Sequence, residues 1–185
     1  MHWRNTEECY GAVAVALHWL MAILVVGLFA LGVYMRSLTY HDAWYIRGPY
    51  LHKSVGLLLL GLLAARLVWR FVSPPPRVQL TLTPLVRRFS GLVHVVFYVL
   101  LFAIMLSGYL ISTADGRPIE VFGWFAIPAT LTGIPRQADL AGQVHLMLGY
   151  GVIAVAVVHA LAALKHQFVD HDDTLLRMLG CRAFR

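Results

Sequence analysis

One apolar segment, Gly142 to Phe168, carries three histidines: His145, His159 and His166. A histidine inside hydrocarbon is costly and needs a partner, so it marks a functional site by default. At about 100° and ~1.5 Å per residue, His159 falls within about 40° of the face of His145 and roughly 21 Å deeper. His166 follows on nearly the same face, about 10 Å further along. The spacing therefore predicts a stripe of imidazoles along one helix.

Other apolar segments supply histidines at comparable depths. His52 starts the second apolar segment, level with His145 at the start of the fourth. His18 lies seven residues into the first segment and matches His159, which is nine residues from the opposite end of its own. The sequence predicts two matched pairs, His52–His145 and His18–His159. His94, five residues into the third segment, forms a third possible pair with His166.

Paired imidazoles from facing helices can clamp a haem iron from both sides, and bundle cores are where such sites are built. Gly56 and Gly149 each lie four residues after a histidine of the first pair and share its helix face. A flat macrocycle needs that space, whereas a bare ion does not. Glycine is also common at helix contacts in membranes, which is the alternative for these two residues.

Two other roles for the histidines stay open at this point. Each imidazole could donate to a neighbouring backbone carbonyl and hold the helices together. A zinc transporter or proton pump is a weaker possibility, because such a protein is expected to place acids within the span. The carboxylates nearest the apolar segments all fall in connections or in the tail: Asp115, Glu120, Asp139, Asp170, Asp172 and Asp173.

The elements that carry these histidines are membrane-spanning helices. Of 185 residues, 59% are hydrophobic and 13% charged, which indicates a polytopic membrane protein. Four apolar segments are long enough to span, and we expect helices at about 11–35, 51–72, 89–113 and 143–168. The first segment has neither the length nor the flanks of a cleaved signal and should remain as a helix. The predicted fold is an all-α membrane protein, a single domain over 1–185 built as a bundle of four transmembrane helices.

The orientation follows from the cations. With the N-terminus inside, ten of the fifteen Lys and Arg residues fall in inner segments and five in outer ones. This asymmetry predicts that both termini are cytoplasmic. The net charge of +6 then lies mostly at the inner face, where anionic lipid is a better partner than nucleic acid. The outer cations are Arg36, Arg47, Lys53, Arg117 and Arg136.

The two cysteines, Cys9 and Cys181, both fall near inner ends. A cytoplasmic location predicts that they do not form a disulfide. No C-x-x-C-H motif is present, so covalent attachment of a c-type haem is not expected. The remaining histidines, His2, His41 and His171, lie in leader, loop and tail and should be solvated.

Several stretches together resemble the bacterial cytochrome b561 family. They are "LHWLM" at His18, "YLHKSVG" at His52, "GLVHVVFYVLLF" at His94, the histidines of the fourth helix, the Pro-rich connection, "WFA" at 124–126 and the tail "HDDTLLRMLG". The resemblance covers nearly the whole chain and is strongest to superoxide-oxidising members. It implies a multi-pass protein of the bacterial inner membrane that holds two haems b.

The resemblance also assigns roles. It implies that His52 and His145 ligate the outer haem iron, and that His18 and His159 ligate the inner one. A quinone would react near the inner haem, and His94 and His166 are the candidates for that site. Hydrogen bonding to each other or to haem propionates is the alternative for these two. Arg66 and Arg70 could bind lipid or haem propionates, and the sequence does not choose between them.

Two functions follow from the resemblance. In the first, superoxide gives its electron to the outer haem, and two such events reduce one ubiquinone. Lys53 would lead a cationic approach, with Arg36 and the other outer arginines. The alternative for these side chains is snorkelling to lipid headgroups. In the second function, the chain is an electron-transfer subunit that moves electrons between quinone and a dehydrogenase or another redox partner.

Overall fold

The computed structural model describes residues 2–77 and 83–180. It contains five helices in these ranges, α1 Ala12–Met35, α2 Trp44–Val72, α3 Pro84–Ser112, α4 Gln137–Phe168 and α5 Thr174–Leu179. Two short strands, β1 Ile119–Val121 and β2 Phe125–Ile127, lie in the connection between α3 and α4. Within the described residues, α1 to α4 are the helices long and apolar enough to cross a membrane. The expected set of four spanning helices is therefore confirmed.

Three of these helices begin earlier than predicted, although all four end within one residue of the predicted position. The starts at Trp44, Pro84 and Gln137 precede the predicted ones by five to seven residues. The prediction followed the apolar segments, whereas helices continue into the polar interface beyond the hydrocarbon. Thr83 and Pro84 are a start signal that the prediction missed, since Pro fits the first helical position and the Thr83 hydroxyl accepts from the amide of Val86 at 3.4 Å.

The described residues divide into two compact units. The described part of the first comprises residues 2–22, 62–77, 83–98 and 154–180, and the second comprises Ile23–Gly61 and Val99–Ile153. The organisation as a single domain stays a prediction.

In the first unit, the leader is bound to the end of α2. The Asn5 side-chain amide donates to the carbonyl of Ser73 at 2.8 Å, and Arg77 pairs with Glu7 at 2.9 Å. The tail joins the same end, because Arg177 donates to the carbonyl of Arg77 at 3.0 Å. The described parts of both termini therefore share one end of this unit. That this end faces the cytoplasm stays a prediction.

Cys9, in that leader, is disulfide-bonded, so the expectation of a free thiol is wrong. The expectation came from the redox state of the compartment and took no account of how the leader folds. Cys181 lies outside the described residues.

In the second unit, the connection between α3 and α4 forms an antiparallel hairpin. Val121 pairs with Phe125 across a tight turn in which Phe122 and Gly123 both have positive φ, 50° and 72°. Such turns suit the right-handed twist of hairpins. The fully buried Ser54 of α2 holds this hairpin, because its hydroxyl donates to the carbonyl of Glu120 at 3.4 Å and accepts from the amide of Phe122 at 3.3 Å.

Candidate functional site

The second unit brings His52 of α2 and His145 of α4 together. Their ring centres are 6.0 Å apart and the ring planes meet at 68°. An imidazole nitrogen binds transition metals at about 2.0–2.1 Å and lies about 1.1 Å from its ring centre, so two imidazoles on opposite sides of one ion have centres about 6.2 Å apart. The pair predicted from helical depth therefore has the separation that axial ligation requires.

The orientation of His145 is fixed from α3. Its Nδ1 lies 2.9 Å from the carbonyl oxygen of Ile104 and 3.1 Å from the hydroxyl of Ser107, which itself donates to that carbonyl at 2.8 Å. A carbonyl only accepts, so Nδ1 carries the proton and Nε2 keeps its lone pair for a metal. The Nδ1 of His52 is buried and has no hydrogen-bond partner among the described residues. The two imidazoles of this pair are thus held by different means.

Two glycines that the sequence analysis did not select lie directly against these rings. A Cβ on Gly32 of α1 would sit 3.3 Å from Cε1 of His52, and one on Gly108 of α3 would sit 3.1 Å from Cε1 of His145. Both distances are tighter than ordinary van der Waals contact. Glycine at these positions lets the α1 and α3 backbones approach the two imidazoles.

The two predicted glycines have different surroundings. A Cβ on Gly56 would meet no atom within 4 Å. One on Gly149 would make ordinary contacts with Ile104 at 3.7 Å and Phe29 at 3.8 Å, so side chains already pack beside it. Their role in giving space to a macrocycle stays a prediction.

The first unit contains a cluster of three histidines. His18 of α1 and His159 of α4 have ring centres 6.4 Å apart at 68°, which again fits two axial ligands of one iron. His94 of α3 also contacts His159, with centres 5.7 Å apart at 80°. The Nδ1 of His94 lies 2.7 Å from the carbonyl oxygen of Ser90, so it carries the proton.

This cluster replaces the expected match of His94 with His166. His94 lies against His159, whereas His166 is engaged by the aspartates of the tail, with Nδ1 at 3.0 Å from both Asp170 and Asp172. Arg66 and Arg70, the two candidate propionate-binding arginines, lie close enough to His94 for their charges to act on it. The assignment of His94 and His166 to quinone stays a prediction.

The second unit brings together two of the outer cations that we expect to attract superoxide. Lys53 and Arg117 line one cavity of about 300 Å³ together with Tyr50, Pro118 and Glu120. Ser54 binds the carbonyl of Glu120 and so holds β1 beside its own neighbour Lys53. Glu120 was not foreseen, and its carboxylate offsets part of the positive charge. Arg36, Arg47 and Arg136 are exposed and do not line this cavity.

The donor set distinguishes between cofactors. Each histidine pair supplies two nitrogen ligands, whereas a structural zinc site takes four protein ligands. Among residues 2–77 and 83–180, no group of three or more His, Cys, Asp or Glu side chains could hold a metal ion. A macrocyclic iron that needs only two axial protein ligands fits these pairs better than a bare ion.

Comparison with known proteins agrees with this geometry. The family model described as prokaryotic cytochrome b561 matches residues 9–180. The chain is 52% identical to cytochrome b561 homolog 2 of Escherichia coli over 180 residues, covering 97% of this chain and 96% of that protein. It is 29% identical to the probable superoxide oxidase CybB of Yersinia pestis, covering 92% and 95%. It is 30% identical to cytochrome b562 of Cereibacter sphaeroides, covering 95% and 98%.

Proposed function

The chain belongs to the prokaryotic cytochrome b561 family, and we propose that it is a superoxide:ubiquinone oxidoreductase with two haems b. The family makes it a b-type, multi-pass electron-transfer cytochrome of the bacterial inner membrane. The proposal adds the donor, the acceptor and the number of haems. The observation that carries the two haems is the presence of two imidazole couples, His52–His145 at 6.0 Å and His18–His159 at 6.4 Å. The donor rests on the 29% identical relative and on the exposed Lys53.

In this proposal His52 and His145 hold the haem nearer the outer face, and His18 and His159 hold the inner one. When bound, haem iron takes up and releases one electron at a time, which suits a one-electron donor. Because Nδ1 of His145 donates to Ile104, the ring is fixed with Nε2 available and its basicity is raised. His145 thus keeps its orientation without help from the cofactor.

Lys53 and Arg117 attract superoxide to the outer face. The reaction converts two superoxide ions, one ubiquinone and two protons into two dioxygen molecules and one ubiquinol. Superoxide surrenders an electron without proton transfer, so the donor side needs only positive potential and access. The cavity beside Lys53 offers access, since Lys53 and Arg117 are exposed there. Arg117 pairs with Asp115 at 3.1 Å, so Lys53 is the main source of positive potential in this proposal. Arg36 is also exposed and would add to the positive potential.

The relatives support the proposal in part. One protein that is 29% identical over nearly its full length is named a probable superoxide oxidase. The 52% identical relative is named only as a cytochrome b561 homolog, without a donor.

A second candidate function is electron transfer between quinone and a redox partner. Trp124, beside the hairpin turn, is 74% exposed, and Phe125 next to it is 50% exposed. Aromatic side chains are enriched at protein interfaces, so this hairpin is where a partner would dock.

A pulse of superoxide applied to the purified, oxidised protein tests the proposal. We expect fast haem reduction that superoxide dismutase abolishes and catalase does not. The rate should fall with salt as the Debye length shortens from about 30 Å at 0.01 M to about 3 Å at 1 M. It should fall further in Lys53→Glu but not in Arg88→Glu, a charge reversal at an exposed arginine in the other unit.

Failure of superoxide to reduce the haems would reject the enzyme and favour the electron-transfer subunit. Fast reduction that is indifferent to both salt and Lys53→Glu would keep the enzyme and reject the cationic approach.

A further inference from the structure

The segment between β2 and α4 is fixed to the end of α3 by the hydroxyl of Tyr109. This hydroxyl donates to the carbonyl of Pro128 at 2.9 Å and accepts from the amide of Thr130 at 2.8 Å. Irregular backbone beside a bilayer needs such partners, because lipid supplies none. The segment therefore has a defined position against α3.

The side chain of Gln137, the first residue of α4, makes a second connection. Its amide donates to the carbonyls of Leu110 and Leu131 at 3.0 Å and 3.1 Å. Leu110 belongs to α3 and Leu131 to the segment before α4. The end of α3, the start of α4 and the segment that joins them are thus held together within the second unit.

Between these three parts lies an apolar groove of about 450 Å³, a volume within the range of small-molecule sites. Nine of its eleven lining residues are Ala, Val, Leu or Ile, and the other two are Ser107 and Gln137. Both of these are more than nine-tenths buried, and their donor groups are already bonded to backbone carbonyls. The wall of the groove therefore suits a hydrocarbon chain.

The length of the groove matches one leaflet of a bilayer. On α4 its lining residues run from Gln137 to Leu148, which is roughly 16 Å along the helix axis. The hydrocarbon core of a bilayer is about 30 Å thick, so one leaflet contributes about 15 Å. The groove begins at the polar end of a spanning helix and continues into its apolar part. An acyl chain of the adjoining leaflet would follow the same course.

The charge beside the groove is positive. Arg136 directly precedes Gln137, is exposed and forms no ion pair with any described residue. Asp139 lies about 200° around α4 from Gln137, so it is on the side away from the groove. Arg117, in the same connection, is already paired with Asp115 at 3.1 Å. Arg136 is therefore the cation that an anionic group at this end of the groove would meet.

We propose that this groove binds a phospholipid, with one acyl chain between α3 and α4 and the phosphate at Arg136. Burial of apolar surface holds the chain, and charge-assisted hydrogen bonds from the guanidinium hold the phosphate. Ser107, in the wall of the groove, also lies 3.1 Å from Nδ1 of His145. The lipid thus packs against the helix faces that orient this imidazole. This inference does not depend on the electron donor or acceptor of the proposed function.

Native mass spectrometry of the purified, delipidated holoprotein tests this site with two probes. Dioleoyl phosphatidylglycerol carries the phosphate, and dioleoylglycerol has the same chains without it. We expect one phosphatidylglycerol per chain to bind more tightly than all others. Arg136→Gln should weaken its binding about fivefold and leave dioleoylglycerol unchanged. Ala141→Phe should weaken both probes about tenfold or more, because the added ring occupies the groove.

Two matched controls make the same changes elsewhere. Arg47→Gln removes another exposed arginine, and Ala154→Phe adds the same bulk to an exposed position on α4, while neither residue lines the groove. Both should bind the two probes as the wild type does. If Ala141→Phe has a reduced haem content, Ala103→Phe fills the groove from α3 instead.

Wild-type binding of phosphatidylglycerol in the groove-filling variant would overturn the site. Equal weakening of both probes in Arg136→Gln would overturn the role of the phosphate. Two other occupants would also contradict the proposal. Displacement of phosphatidylglycerol by an equal concentration of ubiquinone would assign the groove to a quinone. A dimer of the wild type that Ala141→Phe abolishes would assign it to a second copy of the chain.

Discussion

Replacing Gly108 with alanine tests whether α3 positions His145. The added Cβ would lie 3.1 Å from Cε1 and 3.3 Å from Nδ1 of that imidazole. Ordinary contact between carbon atoms is about 3.5–4.0 Å, so the ring must move by about half an ångström. The same ring is held by Ile104 at 2.9 Å and Ser107 at 3.1 Å, so this movement strains or breaks those contacts.

The expected cost is that of a side chain forced off its rotamer, about 0.5–1.5 kcal/mol. If haem binding bears the whole cost, affinity at the outer pair falls by about two- to tenfold, since 1.4 kcal/mol corresponds to a factor of ten. Alanine is about 1 kcal/mol more favourable than glycine within a helix, so the fold itself should not weaken. In Gly32→Ala the added Cβ would lie 3.3 Å from Cε1 of His52, so we expect a smaller loss of haem affinity of the same kind.

The assay is haem content per chain by the pyridine method, with low-spin electron paramagnetic resonance to report the axial ligands of each haem. We expect the signal of one haem to shift or weaken in Gly108→Ala while the other stays unchanged. Gly61→Ala and Gly151→Ala are the matched controls, because a Cβ at either position meets no atom within 4 Å. Full haem content and unshifted signals in Gly108→Ala, as in the controls, would refute this reasoning.

Three further outcomes are expected. Acid–acetone should extract all haem and the pyridine assay should count about two per chain, whereas a count near one would make one histidine pair structural. His94→Ala should keep both haems and slow reoxidation by ubiquinone, and loss of a haem there would make His94 a ligand of the His159 site in place of His18. Gly56→Leu should expel the outer haem and leave the inner one, with Gly149→Leu doing the same; unchanged spectra in both would assign these glycines to helix packing.

The two histidine pairs could be predicted from sequence because the depth of a residue in a straight helix follows directly from its residue number. Fourteen residues along α4 separate His145 from His159, and each finds a partner in the structure at the expected level of its own unit. The pairing of His94 failed for the same geometric reason. Depth alone does not say which side of a helix faces inward, and His94 faces His159.

Gly32 and Gly108 could not be found in this way. They lie on α1 and α3, which are apolar around most of their circumference, so hydrophobic periodicity selects no face. Only the packed structure shows which glycine meets an imidazole. The hairpin of the outer connection was predictable in part, since Gly123 between aromatic residues is a turn signal. The positive φ of His171, which returns Asp172 to His166, has only a weak signal, since histidine adopts this conformation more often than most residues but still uncommonly.

A structural role and a ligand role are compatible for the same histidine. His145 and His94 both place Nδ1 against a backbone carbonyl, as the structural role requires. A proton on Nδ1 leaves Nε2 with a lone pair, so the same bond that holds the helix prepares the ring for iron or for a hydrogen bond to substrate. His166 differs, because its Nδ1 faces carboxylates instead of a carbonyl. Carboxylates stabilise the imidazolium, which has no lone pair for a metal, so the partner at Nδ1 separates His166 from the histidines that we propose as ligands.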